Sequence, residues 1–564
     1  MSHRSAESDA GSLPAHPRRL DPPEDFPVTW PDPQDAELMW THETEHSSPL
    51  VLPCHVAQRH WLADGMTAAA RLYGAPLAGR RGVRINTYWY DTTLPLDAPP
   101  EDLARRAREG EALKAERGED LARWWEERWQ PELAQLLQHW AAADPDAWDD
   151  AALADWLVQS EGPFRRMWEI HFELVLCLFP TITAFGELAA DLFGSDDDPI
   201  SGHELLVGEG NATLQASLAL WDLSRTALGH PEVLAALEER DPAAAERRLA
   251  GSAAGQAFWA AFRIWLSEYG QRPDERREAL GANWDENPTV PLAMLRAHLE
   301  APASHPLDGW RRRRAAREAR TAEARQRLAD YPAAVRTAFE DQLSRARYAT
   351  KLVEDHNFHL DQKSFYWYRR AVLAAGQRLV QRGQLHRPED VVFLELADIV
   401  QALAAAGDRD QLRQRVEAER AALERWASVS PPDRLGTERP SGLPTAPTPT
   451  PGPADGRWHG VPASPGVVQG RAHVAPSLAE ASEVQPGDIL VTVTTNPSWA
   501  PLFPVLGGLV TTVGSPLSHG AIVAREFGLP AVLAVASATA IIRTGDWLEV
   551  DGLRGTVTPI EEPG

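Results

Sequence analysis

Between about residues 100 and 427, apolar side chains return at every third or fourth position among Ala, Leu, Glu and Arg, the spacing of helices with one buried face. Trp124, Trp125, Trp129 and Leu133 show it, as do Trp259, Phe262, Trp265 and Leu266, and again Tyr368, Val372, Leu379 and Val380. The longest apolar stretch, Ile170 to Phe185, is interrupted by His171, Glu173 and Pro180, so it predicts a buried helix and not a membrane span. From about Trp458 the period changes. Short β-branched runs alternate with Gly and Pro, and one helical pattern follows His519. The expectation is a multidomain α plus α/β chain, with a large mainly helical domain followed by a small β/β/α domain.

The boundaries follow from composition. Residues 1–30 are rich in Pro, Ser, Asp and Arg and are expected to be disordered, with no apolar core like that of a signal peptide. The mainly helical domain then covers 31–428, with Ile85 to Tyr90 as a strand-like piece. Residues 429–457 turn to Pro, Ser, Thr and Gly, most densely from Pro444 to Pro453, and read as a linker before the last domain, 458–560. Extended at about 3.1 Å per residue, such an arm spans several tens of ångströms.

A formal charge of −25 excludes nucleic acid and anionic membrane as natural partners and fits a cytoplasmic enzyme. Cys54 and Cys177 are too few for a disulfide framework or a zinc site, and no metal is expected. The 21 Trp residues are mostly expected to fill the helical core, with some free to line an apolar pocket. Arg311 to Arg314, continued by Arg317, Arg320, Arg325 and Arg327 and interleaved with Glu318 and Glu323, reads as a salt-bridged helix face.

The stretch with the most chemistry is Thr512-Val-Gly-Ser-Pro-Leu-Ser-His-Gly-Ala-Ile-Val-Ala-Arg-Glu-Phe-Gly-Leu-Pro-Ala-Val-Leu533. A strand ends near Val513, Gly514, Ser515 and Pro516 turn the chain, and a helix starts near Ser518 and closes at Gly528. His519 therefore falls on the first helical turn, where backbone N–H groups lack internal partners and the helix dipole is positive. That end favours an anion and a neutral, nucleophilic imidazole. Ser518 is placed to cap the helix or hold the ring, and Gly514 lets backbone approach a ligand.

This stretch resembles the phosphohistidine loop of the swivelling domain in phosphoenolpyruvate-utilising enzymes, as do Gly487 to Val491, Asn496 to Phe503 and Gly545 to Gly552. The resemblance implies that His519 accepts and donates a phosphoryl group, with Ser518, Gly514, Ser515 and Arg525 around it. Two positions depart from the family: Thr512 stands where an acidic residue is usual, and Gly514-Ser515 where Gly-Gly is usual. In the helical region Trp40 to Pro53, Ile85 to Tyr90, Gly208 to Thr213, Leu266 to Arg272, Trp284 to Pro288, Tyr368 to Leu373 and Arg387 to Phe393 resemble the substrate-binding part of rifampin phosphotransferases. Glu354 to Phe358 replaces a basic segment of those enzymes, which makes rifampin itself an unexpected substrate.

As chemistry, Glu354, His356, His359, Asp361 and Lys363 concentrate acid, base and cation in one short helical stretch. Helical spacing sets Glu354 and Phe358 on one face and allows His356 and His359 to share another. A His there could take a hydroxyl proton and Lys363 could neutralise transferred phosphate; a polar helix end with satisfied histidines accounts for the same residues. The resemblance further implies ATP and Mg2+ as the phosphoryl source. Since the sequence shows no ATP-grasp domain and no Gly-rich phosphate loop, a separate ATP-grasp protein is the expected partner, as in phenylphosphate synthase. The expected acceptor is a small molecule with a hydroxyl. A non-catalytic phosphocarrier or regulatory binding protein, and a self-sufficient kinase, are the alternatives.

Overall fold

A computed structural model describes residues 18–43, 50–142, 144–194, 198–272, 282–301, 306–405, 409–438 and 456–562. The helical region is built on the helix Glu161–Phe193, which presents Phe164, Met167, Ile170, Leu174, Leu178 and Phe185 to the core with no exposed surface. It packs against Pro53–Leu72, where Gly65 admits the backbone of Trp168, and against Ala333–His356. By length and composition this helix could cross a membrane. Its polar face instead carries Glu173, which binds Arg117 at 2.7 Å and Arg166 at 2.9 Å. Trp40, Trp129, Trp140, Trp221 and Trp284 are among the largest fully buried side chains, as expected of core residues.

An antiparallel sheet caps one end of the helical region, in the order Arg18–Arg19, Arg434–Glu438, Met39–His42, Tyr88–Pro95, Leu77–Ile85. Asn86 and Thr87, both at positive φ, turn the last two strands into a hairpin. The sheet corrects two expected boundaries. Residues 18–30 are ordered, because Phe26 is buried against Tyr88 and Trp426. Residues 434–438 are a strand and not linker, because Leu435 faces the same core and the backbone pairs on both sides. The densest part of the expected linker, Pro444 to Pro453, and residues 1–17 lie outside the described residues.

The C-terminal domain is an eight-stranded sheet ordered Trp458–His459, Thr556–Ile560, Trp547–Asp551, Val467–Val474, Ile489–Thr492, Gly508–Thr511, Ala531–Leu533, Val461–Ser464. Three of its pairings are parallel, and the helix His519–Phe527 is the crossover between the parallel strands Gly508–Thr511 and Ala531–Leu533. This domain is docked. One apolar cluster runs from Trp221, Phe262 and Trp265 of the helical region into Leu490, Trp499, Leu502 and Phe503.

Candidate functional site

His519 opens its helix and Gly528, in the left-handed conformation at φ 65°, closes it. The expected Ser518 cap is corrected: its hydroxyl donates to the Ser515 carbonyl at 2.8 Å, so no side chain caps the helix start. Those first N–H groups are therefore unshared by a side-chain cap. Ser515 is an exposed turn residue whose carbonyl accepts from Ser518 and whose hydroxyl accepts from Leu517 N at 3.4 Å. Gly514 has φ 145°, a conformation that disfavours side chains, and an added Cβ would lie 3.2 Å from Leu533 and 3.3 Å from Ser518. The half-buried Arg525 ties the loop down, donating to the carbonyls of Ala463 (2.8 Å) and Pro516 (2.7 Å), and desolvation lowers its pKa to about 10.

Docking brings His519 Nδ1 to 2.8 Å from Oε1 of Glu354, whose side chain is 1% exposed. A carboxylate oxygen only accepts, so Nδ1 carries the proton and Nε2 keeps its lone pair. Nε2 is buried without a hydrogen-bond partner, as are Glu354 Oε2, Arg272 Nε and Nη2, and Thr495 Oγ1. These atoms belong to one region. Gly520, beside His519, lies where an added Cβ would be 2.6 Å from Thr495 Oγ1, and Arg272 donates to the Pro497 carbonyl at 3.2 Å. Arg272 is fully buried; desolvation lowers its pKa to about 10, and the charge of Glu354 opposes that shift. Native proteins rarely leave buried polar atoms unpaired, and a cluster that gathers a nucleophilic nitrogen, a guanidinium and a hydroxyl suits a tetrahedral oxyanion such as a phosphoryl group.

The acceptor-side residues divide differently from the expected pattern. Asn357–Gln362 is a π-helical turn between Ala333–His356 and Lys363–Gln381. The inserted turn moves Asp361 onto the face of His356, while His359 goes to the ring of Phe358. The expected shared face of His356 and His359 is thereby corrected. The Phe358 ring also stacks with the cations of Arg272 (5.2 Å) and Lys363 (5.0 Å). Burial lowers the pKa of Lys363, of His356, where His171 adds to the effect, and of His359, where Lys363 does. His171, from the helix Glu161–Phe193, binds Asp361 at 2.8 Å. Neither His171 nor Arg272 stood out as a site residue in the sequence. The available signals were a histidine inside an apolar run and an arginine closing the Leu266 to Arg272 segment.

The far end of the His519 helix is also held. Glu526 accepts from Gly208 N (2.9 Å) and Trp310 Nε1 (3.2 Å), and Arg313 Nε donates to its carbonyl at 2.8 Å. Here part of the Arg-rich helix is a docking surface; further along, Arg320 and Arg325 pair with Asp198, Glu204, Glu323 and Glu340 as a salt-bridged face.

A small β/β/α domain with a histidine at the start of its crossover helix, set on a helical partner, is the class this fold and site define. Comparison with known proteins agrees: residues 484–555 match the mobile domain of PEP-utilising enzymes, and residues 174–354 the fourth domain of rifampicin phosphotransferase. Over 96% of its length the chain is 35% identical to part of chondramide synthase of Chondromyces crocatus, covering 14% of that protein. It is 33% identical over 62% of its length to a rifampicin phosphotransferase of Streptomyces sviceus, covering 40% of it. It is 30% identical over 61% of its length to the prodigiosin synthesizing transferase of Serratia marcescens, covering 38% of it. The chain thus spans less than half the length of these relatives.

Proposed function

We propose that this chain is a phosphotransferase component in which His519 carries a phosphoryl group from an ATP-grasp protein, charged with ATP and Mg2+, to a small-molecule hydroxyl bound at the helical region. The carrying observation is His519 itself, with Nδ1 held by Glu354 and a buried, unpartnered Nε2. In the loading step a P–O bond of the donor breaks as the Nε2–P bond forms. In the transfer step the acceptor oxygen attacks phosphorus, the N–P electron pair returns to Nε2, and the hydroxyl proton leaves to a base. Arg272 and Lys363 offset the charge of the phosphoryl oxygens, while Glu354 keeps the ring in one tautomer. Relatives named for phosphorylating rifampicin and for making chondramide and prodigiosin support an organic acceptor.

The test is intact-mass spectrometry at mildly alkaline pH, where phosphohistidine survives, after incubation with ATP and Mg2+, with and without a candidate ATP-grasp protein. Gain of one phosphoryl group, dependent on the partner and lost in His519→Ala, is the expected result. Gain without the partner would place an ATP site in this chain. No gain with a partner proven on another carrier would leave a non-catalytic binding protein.

A further inference from the structure

We propose that His171, His356 and Asp361 form a binding site for one divalent first-row transition-metal ion. One donor atom from each residue lies within 4.8 Å of the other two. Bonds of about 2.0–2.2 Å place ligand atoms about 3.3–3.5 Å apart, so modest side-chain rotation closes the set on an ion. His171 and Asp361 already meet at 2.8 Å although 190 residues apart in the chain, and an ion replaces the proton between them.

The third ligand is pinned. His356 Nδ1 lies 2.6 Å from the Leu352 carbonyl, which only accepts, so the proton is on Nδ1 and Nε2 is left as the donor. This is the arrangement by which proteins fix a metal-ligating imidazole. The backbone also serves it. In a regular helix residues five apart diverge by about 140°, and the wider π-turn Asn357–Gln362 cuts that divergence to about 50° for His356 and Asp361. A His171–Asp361 base pair alone would leave the His356 ring, 5.0 Å from that of His171, without a use. An ion uses all three.

Two imidazoles and a carboxylate suit Zn2+, Co2+ or Fe2+ and not the hard cations Mg2+ and Ca2+. Three protein ligands leave coordination positions open to a substrate oxygen, with the rings of Trp168 and Phe172 beside His171 as an apolar wall. The site does not depend on phosphorylation of His519.

The experiment uses the full chain, freed of any affinity tag, stripped with EDTA and desalted. It is titrated with Co2+, followed by visible absorption, and with Zn2+ by calorimetry. One ion per chain is expected, with a dissociation constant below about 10 µM, unaffected by excess Mg2+. His171→Asn and Asp361→Asn should each weaken it at least about 100-fold with circular dichroism unchanged, and His519→Ala should bind as the wild type does. His356→Asn is a third variant, and the two part-exposed ligands carry the test if it does not fold. Absence of binding at about 100 µM Zn2+, or equal binding by the His171 and Asp361 variants, overturns the site.

Discussion

Glu354→Gln keeps the shape of the side chain that meets His519 and removes only its charge. The contact is 2.8 Å with the glutamate 1% exposed, so solvent does little to screen it. Attack by Nε2 on phosphorus develops positive charge on the ring. A charge-assisted hydrogen bond at Nδ1 is worth about 1.5–3 kcal/mol and a neutral one about 0.5–1.5. The difference, about 1.4 kcal/mol, is about tenfold in rate. One effect opposes it: the same carboxylate repels an incoming phosphoryl anion. Arg272, buried within electrostatic reach of Glu354, offsets that repulsion, so the hydrogen bond should decide the sign. Phosphoramidate, a small donor to imidazole nitrogens, makes the assay independent of any protein partner. The rate of gain of one phosphoryl group, read by intact mass, should fall about tenfold in Glu354→Gln and vanish in His519→Ala. Loading of Glu354→Gln within twofold of the wild type, or faster, would refute a working His519–Glu354 pair.

Arg272→Met should lower phosphoramidate loading by roughly tenfold and lower the melting temperature as well, because it takes the donor from the Pro497 carbonyl and leaves the buried Glu354 carboxylate without its nearby cation. Acid stability should follow buried imidazoles. The folded pKa of His298 is lowered to about 4 and that of His55 to about 3, both by burial first, against an ordinary 6.5 in the unfolded chain. The unfolded state therefore binds the extra protons, and stability, flat above pH 6.5, should fall by roughly 3 kcal/mol per ring by pH 4, measurable by urea unfolding across pH. Glu526→Ala removes the acceptor of Gly208 and Trp310 and should raise hydrogen exchange at residues 519–527 and 206–214 together, by an amount equivalent to about 1–3 kcal/mol of docking.

The loop of His519 was legible because most of what shapes it is local. Gly514 turns the strand, Ser518 precedes the helix and Gly528 ends it, all within one short span. The partners of that loop were not, since Glu354 meets His519 across 165 residues and no spacing rule reaches so far. Within Glu354 to Lys363 the expected spacing was wrong, because a period of 3.6 residues fails at the first π-helical turn. The short strands Arg18–Arg19 and Arg434–Glu438 hid for another reason. Polar, Pro-rich flanks mask them, and only pairing with Met39–His42 and burial of Leu435 make them part of a sheet.

Both ends of the His519 helix are read by the helical region, and with opposite charge. Glu354 stands at the N-terminus, where the dipole is positive, and Arg313 at the C-terminal carbonyl of Glu526, where it is negative. The helix is therefore held in one direction as well as one place, and Arg313 would meet a side chain at Gly528 within 2.3 Å, so the cap that ends the helix also admits the arginine. Such a seat sets the position of Nε2 from two helices of the helical region, Ala333–His356 and Pro306–Arg327, in addition to the loop that Arg525 ties down within its own domain. The proposed transfer from Nε2 needs that precision, since misplacement by an ångström costs about 100-fold in rate.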